Sequence, residues 1–326
     1  MPVVVDEPVH AILPPPDLWK FREITGVGDE ELDVSFDGWS KLAILTADKV
    51  FLFPRRGRDE RLLHGARVSE ALVELGLGCV PPVLGRWPDG VLEAGPFVVL
   101  ERRAGTRWPA LENDAGIDEW ERMLASLGGQ VASWHRLDIS RLPSDLRRPL
   151  GQDRHWLTRL LDPDRVERTV EEVVRLLDAK PAWAERWRRT ALRLAGLPPV
   201  LLHGDLCENQ LLVDDDQHVR TVLDWDEAAV GNPLLDFDFG EWGFAIFGWE
   251  DEFARLRQAM WDAYAAGLGG ALAGLPSADE VHLLFTLKEL AYFEESNAAG
   301  PIDDWGTSRL AKLRQQIGPA TRAVSA

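Results

Sequence analysis

Two periodicities divide the chain. Between residues 33 and 53, three short runs, Asp33–Phe36, Lys41–Thr46 and Lys49–Phe53, are rich in β-branched, Leu and aromatic side chains. Asp37-Gly38 and Ala47-Asp48 lie between them as turn formers, so the pattern predicts an antiparallel meander that Pro54 ends. From Arg58 to Leu77 the period lengthens. Leu62, Leu63, Ala66, Ser69, Leu72, Val73 and Leu75 gather loosely on one side of a helix that Gly76 and Gly78 stop. Val80-Pro81-Pro82 is held extended by its prolines. Val91-Leu92 and Phe97–Glu101 read as two further strands. A small sheet of about five strands with one helix is therefore expected by residue 103, with Ala104-Gly105-Thr106 as a hinge.

Past the hinge the pattern turns helical. Asp118 reads as an N-cap with Glu121 completing a capping box, and Trp120, Leu124, Leu127, Val131 and Trp134 make the apolar stripe behind it. Asp162-Pro163 reads as cap and first residue of a helix with a stripe at Val166, Val170, Val173, Val174 and Leu177. Pro181 breaks it, and Trp183 to Leu194 starts again. Glu252–Ala266, Ala278–Glu295 and Thr307–Ile317 also read as helices. The expected class is α+β, a small β-rich lobe followed by a larger helical one, without internal repeats.

Composition narrows the function. The 326 residues are 45% hydrophobic and 28% charged, ordinary for a globular protein. Cys79 and Cys207 lie far apart without metal-ligand spacing, which fits a reducing cytoplasm. The first ten residues carry acids where a secretory signal carries Lys or Arg, and no apolar run approaches the ~18 residues of a membrane span. The formal net charge of -18 is concentrated: residues 203–252 hold 14 acids against one base, Arg220. That argues against a nucleic-acid partner and for metal ions or a cationic ligand, the alternative being a solvated acidic surface. The 14 Trp are either an aromatic ligand wall or core packing.

The acidic segment is also where the chemistry lies. After the apolar Val200-Leu201-Leu202, Gly204 permits a tight bend and Asp205 emerges on a loop. Leu211-Leu212-Val213 and Val219–Leu223 form a return of two strands, which brings Asp224 back toward Asp205. Two carboxylates and an amide make a hard oxygen site suited to Mg²⁺, and a carboxylate outside the metal shell can deprotonate a hydroxyl.

HGDLCENQLLV followed by VLDWDEAAVGNPLLDFD resembles the aminoglycoside phosphotransferase family, and so do the strand-to-hinge run FVVLERRAGT and the VPPVLG extension. The resemblance implies a bilobal protein-kinase-like fold: residues 1–103 a nucleotide-binding lobe, residues 104–326 a helical lobe with the catalytic loop and substrate site. It implies transfer of the γ-phosphoryl of ATP or GTP, with Mg²⁺, to a hydroxyl of a small molecule. Asp205 matches the catalytic base, Asp224 the metal-binding acid and Asp236 a structural acid bracing the loop. Glu101 and Arg102 fall at the nucleobase hinge. The family's second metal ligand, an Asn, falls on Gln210 here, with Asn209 one residue early. Where the family places a Lys or Arg in the third strand this chain has Leu52, and the helix Glu that pairs with that base falls near Gly65. Lys41, Arg55 and Arg56 (with Arg58) are then the candidate phosphate anchors. The Leu52 and Gly65 positions are similar to kinases that inactivate viomycin and capreomycin.

The acceptor expected is a cationic antibiotic, an aminoglycoside or a tuberactinomycin-type peptide, met by Asp226, Glu227, Asp238, Glu241, Glu294 and Glu295. The alternatives are a macrolide held by Trp242, Phe244, Phe247 and Trp249, a metabolite such as an amino alcohol or sugar, or a kinase-like binding module without catalysis. The protein is expected to be cytoplasmic, a monomer or weak dimer, and to confer antibiotic resistance.

Overall fold

The computed structural model describes residues 12–13, 15–28, 32–35, 41–55, 59–88, 91–108, 115–149, 156–176, 181–238, 253–299, 308 and 311. The segment 241–252, with Glu241 and the aromatic residues expected to hold a macrolide, lies outside them, as do Arg56, Arg58 and most of the expected helix 307–317.

The first layer is a helix, α1 (Pro15–Thr25), against a five-stranded sheet of order β1-β2-β3-β5-β4. Its strands are β1 (Asp33–Ser35), β2 (Lys41–Leu45), β3 (Lys49–Pro54), β4 (Val83–Trp87) and β5 (Phe97–Glu101), all antiparallel. Alternation sorts the side chains. Ile44, Phe51, Phe53, Phe97 and Val99 face α1 and pack on Phe21. Leu52 and Val98 face the opposite way, onto Leu62 and Ala66 of helix α2 (Asp59–Glu74). The fourth strand is 83–87, not the expected Val91-Leu92. Leu92 is buried in a turn whose amides Glu93 and Ala94 donate to the buried Asp17 at 3.0 and 2.7 Å, so α1 claims that segment before the sheet can.

The helical part follows: α3 (Ile117–His135), α4 (Trp156–Leu160), α5 (Val166–Leu176), α6 (Pro181–Ala195), α7 (Ala254–Leu268) and α8 (Ala278–Ala299). Helix α3 begins two residues earlier than expected. Gly116 is the cap, with Glu119 reaching back to its amide at 2.7 Å, while Asp118 and Glu121 instead hold Arg255 of α7. Its stripe (Trp120, Leu124, Leu127, Val131, Trp134) is buried in the large core with Met260 and Tyr264 of α7. The helical part also carries short strands: β6 (Thr106–Arg107), β8 (Leu211–Val213) and β9 (Val219–Val222) in one sheet, β7 (Val200–Leu202) with β10 (Ala229–Gly231) in another. The α+β architecture, sheet first and helices after, is a protein-kinase-like fold. Trp108, Trp134, Trp187 and Trp225 are fully buried, so these aromatics are core, whereas Trp19 is exposed.

Candidate active site

Strand β7 is buried along its whole length and delivers the chain to a loop at His203. Gly204, at φ 85°, makes the bend and Asp205 stands exposed beyond it. One buried carboxylate holds this loop from beneath. Asp236, carried by the 3-10 turn Pro233–Phe237, accepts the backbone N–H of His203 at 2.9 Å and of Gly204 at 3.1 Å. It also accepts the Trp134 indole N–H at 2.9 Å and His135 Nε2 at 3.1 Å, while His135 Nδ1 meets the Tyr264 hydroxyl at 2.9 Å. Burial pushes the Asp236 carboxyl up, but the hydrogen bond and charge of His135, aided by the other donors, outweigh it and hold the carboxyl below its ordinary value.

The two halves of the site are laced together by backbone. The Leu223 carbonyl accepts from His203 Nε2 at 2.8 Å, and its N–H donates to the Gln210 carbonyl at 2.8 Å. Pairing of β8 with β9, Leu211 opposite Val222, completes the return, so Asp224 emerges beside the Asp205 loop. Partial burial raises the Asp205 carboxyl above its ordinary value, the charge of Asp224 adding to it while His203 and Gln210 act against. A carboxylate tuned upward in this way is better matched to taking a hydroxyl proton.

Asp224 sits in the left-handed region, φ 66° and ψ 61°, an uncommon conformation for a residue with a side chain. The surroundings enforce it. The buried Trp225 that follows donates its indole N–H to the Val222 carbonyl at 3.0 Å and packs edge-on to Trp134 at 5.4 Å. Strain of this kind aims a side chain, and the Asp224 carboxylate is aimed at the sheet. Lys41 Nζ, from the start of β2, lies 2.6 Å from Asp224 Oδ1 and 2.8 Å from Asp226 Oδ1. Burial works against the lysine's charge, but Asp224 and Asp226 outweigh it and hold its pKa above the ordinary value.

Gln210 is buried and Asn209 exposed, so of the two amides it is Gln210 that faces the site. Its Oε1 accepts the Cys207 N–H at 3.1 Å and its Nε2 points at Asp205 Oδ2 at 3.5 Å. The orientation is set by the network: turned over, the amide would set donor against donor at Cys207. The donors suit Mg²⁺. Asp224 offers carboxylate oxygens, Gln210 Oε1 keeps a second lone pair, and Asp224 already draws a cation, the Lys41 ammonium, onto itself.

The other expected site residues scatter. Glu101 is bonded through its backbone to Pro82 and lies 3.3 Å from Arg103. Arg102 donates to the Thr46 carbonyl and so clasps the β2–β3 turn. Arg55 is exposed at the end of β3. Glu227 pairs with Arg61 of α2, and Asp238 with the buried Lys288 of α8 at 2.7 Å. Glu295 accepts the Trp156 indole N–H at 2.9 Å, and Glu294 is half-buried next to it on α8. Arg56 and Glu241 lie outside the described residues. The sequence carries no sign of His135, and it points Asp226 at the acceptor, whereas Asp226 pairs with Lys41 of β2. The signal for Asp226 was Gly65, a glycine on the buried face of a helix, where another element comes close.

The chain matches the model of the Phosphotransferase enzyme family, APH, over residues 37–281. It therefore belongs to that family of phosphotransferases. Among solved structures it is similar to the GDP complex of aminoglycoside 2'-phosphotransferase-IIIa, at 17% identity and TM-score 0.55, covering 95% of this chain and 98% of that one. It is also similar to macrolide 2'-phosphotransferase type I, at 18% identity and TM-score 0.52, covering 96% and 99%. At these identities the likeness is one of fold. A curated relative, the uncharacterized protein YcbJ of Bacillus subtilis (strain 168), is 40% identical over 76 residues, 23% of this chain and 24% of that one, so the match spans about a quarter of its length. Among the described residues no helix is long and apolar enough to cross a membrane.

Proposed function

We propose that the protein is a small-molecule kinase that transfers the γ-phosphoryl of ATP or GTP to a hydroxyl of an antibiotic, inactivating the drug and conferring resistance. The observation that carries this reading is the pairing of Asp205 with Asp224 on two loops pinned by Asp236 and His203. In it Asp205 accepts the proton of the acceptor hydroxyl as that oxygen attacks the γ-phosphorus. Asp224, with Gln210, holds Mg²⁺, which neutralises the charge of the phosphates when bound. Gln210 also steadies Asp205. The sheet and α2, within residues 1–103, hold the nucleotide, with Glu101 and Arg102 at the hinge; residues 104–326 hold the acceptor.

The acceptor proposed is cationic, an aminoglycoside or a tuberactinomycin-type peptide. Asp226, Glu227 and Asp238 each hold a cation of the chain itself, so support for this choice comes from the net acidity and from the α8 end, where Glu295 stands exposed beside Trp156. We place the protein in the cytoplasm as a monomer or weak dimer. The test is a Mg²⁺-dependent phosphorylation screen of ATP and GTP against aminoglycosides, tuberactinomycins, macrolides, amino alcohols and sugars, with Asp205→Ala as control. Transfer to a cationic antibiotic, lost in the control, is expected. Nucleotide binding without transfer to any acceptor would point instead to a binding module.

A further inference from the structure

This inference rests on the kinase reading and concerns how the triphosphate is held. Leu52 on β3 is apolar and packs on Leu62 and Ala66, so that strand position offers the phosphates no charge. The sheet register shows where a charge is supplied instead. Ala43 lies opposite Leu52 and Lys41 opposite Pro54. Residues opposite one another, and residues two apart, project from the same sheet face. Lys41 thus leaves the sheet on the face that covers α2, one strand over from Leu52.

The carboxylate partner has moved as well. A Cβ added at Gly65 would collide with Asp226 Oδ1 and would come within 3.0 Å of the Asp226 amide nitrogen and 3.1 Å of its Cα. The bare helix surface at Gly65 is therefore where the Trp225–Glu227 turn docks. Asp226, with its side chain only 9% exposed, fills that position and reaches Lys41, itself 12% exposed. Of the other described bases nearby, Arg102 is held by Thr46 and Arg61 by Glu227, while Arg55 and Arg148 are exposed.

We infer that Lys41 is the phosphate-binding lysine of this enzyme and Asp226 its positioning carboxylate, the pair being built from strand β2 and the turn after Asp224, with Gly65 as the vacancy that admits it. The β- and γ-phosphates take up the ammonium from Asp224, which frees that acid for the metal, while Asp226 keeps the lysine's aim. The same turn that carries the metal-binding acid thereby also carries the lysine's partner.

The test uses the full-length protein. First, Mg²⁺ with ATP or GTP is expected to raise the thermal midpoint; no shift with either would remove the kinase reading and this inference with it. Second, acyl-phosphate derivatives of ATP and GTP, which acylate an amine lying against the phosphates and release the nucleotide, are expected to label Lys41 of the wild-type chain, with protection by unmodified nucleotide. A nucleotide-dependent midpoint shift accompanied by labelling at Lys49 or elsewhere, and not at Lys41, would overturn the inference and leave the kinase reading standing. Third, Lys41→Met is expected to raise the nucleotide KM or lower kcat by roughly 10- to 100-fold, the worth of a charge-assisted hydrogen bond. Asp226→Asn should do so less, and the double variant should be no worse than Lys41→Met alone; additive losses would overturn the pairing. Gly65→Ala favours the helix by itself, yet is expected to raise the nucleotide KM because it displaces Asp226. An unchanged KM there would refute the role given to Gly65.

Discussion

Asp236 holds His203 by its backbone and not by its ring: the carboxylate accepts the His203 N–H at 2.9 Å, while the imidazole turns away to the Leu223 carbonyl at 2.8 Å. One residue thereby ties the catalytic loop to the acid beneath it and to the strand that ends at Asp224. Replacing the carboxylate with a carboxamide keeps one acceptor oxygen and sets an NH2 donor against N–H groups that the other oxygen served. Asp236→Asn is expected to destabilise the fold by about 3–5 kcal/mol, as for other broken buried charge pairs, measured by urea denaturation.

The same acid predicts a pH dependence. Its folded-state pKa is depressed, so the stability it contributes is present above the unfolded carboxyl value and is lost as pH falls through the depressed one. The midpoint of thermal unfolding should fall steeply below about pH 4 in the wild type, and less steeply in Asp236→Asn.

Asp205 shifts the other way. A base works deprotonated, and its raised pKa places the acid limb of the kcat/KM profile above 3.8. Asp205→Ala is expected to abolish turnover while Mg²⁺-nucleotide still raises the thermal midpoint. Near-normal turnover in this variant would show that another group takes the proton.

Asp224→Ala should instead weaken the nucleotide in Mg²⁺, by roughly 10-fold or more, and make its affinity insensitive to EDTA. Isothermal titration with and without the metal reads this directly. An Asp224→Ala chain whose nucleotide affinity still falls on chelation would place the metal elsewhere.

Both thiols are held protonated. Burial pushes Cys79 up to about 12 and Cys207 up to about 11. Cys207 lies two residues from Asp205, the proposed base, yet at pH 8 it should react with iodoacetamide about two orders of magnitude more slowly than a free thiol. Both should react fast once the chain is unfolded in urea, a count that mass spectrometry provides.

The juxtaposition of the Asp205 and Asp224 loops is legible in the sequence, because it lies within one segment. A strand, a loop acid, a two-strand return and a second acid are local, and period-two alternation with Gly204 at the bend locates them. The half proposed to anchor the nucleotide is harder to see, because it is assembled across the chain. Lys41 meets Asp224 across 183 residues, and no local pattern states that pairing; only the missing charge at Leu52 and the glycine at 65 hint that something else fills the space. The fourth strand was misplaced for a similar reason. Val91-Leu92 has the composition of a strand, but its neighbours' amides are taken by Asp17, more than seventy positions earlier. The expected cap of α3 falls two residues late because Asp118 and Glu121 match a capping pattern while serving Arg255.

The buried pairs of the acidic segment also bear on how the chain folds. Asp224 and Asp226 receive Lys41 from the first strands, and Asp238 receives Lys288 from the last long helix. Until both ends of the chain have arrived, this segment keeps uncompensated like charges close together, and contacts between positions so distant form slowly. Helices and hairpins should therefore return early in refolding, with nucleotide-binding capacity lagging behind them. During synthesis the Asp238–Lys288 pair cannot form until residue 288 has left the ribosome.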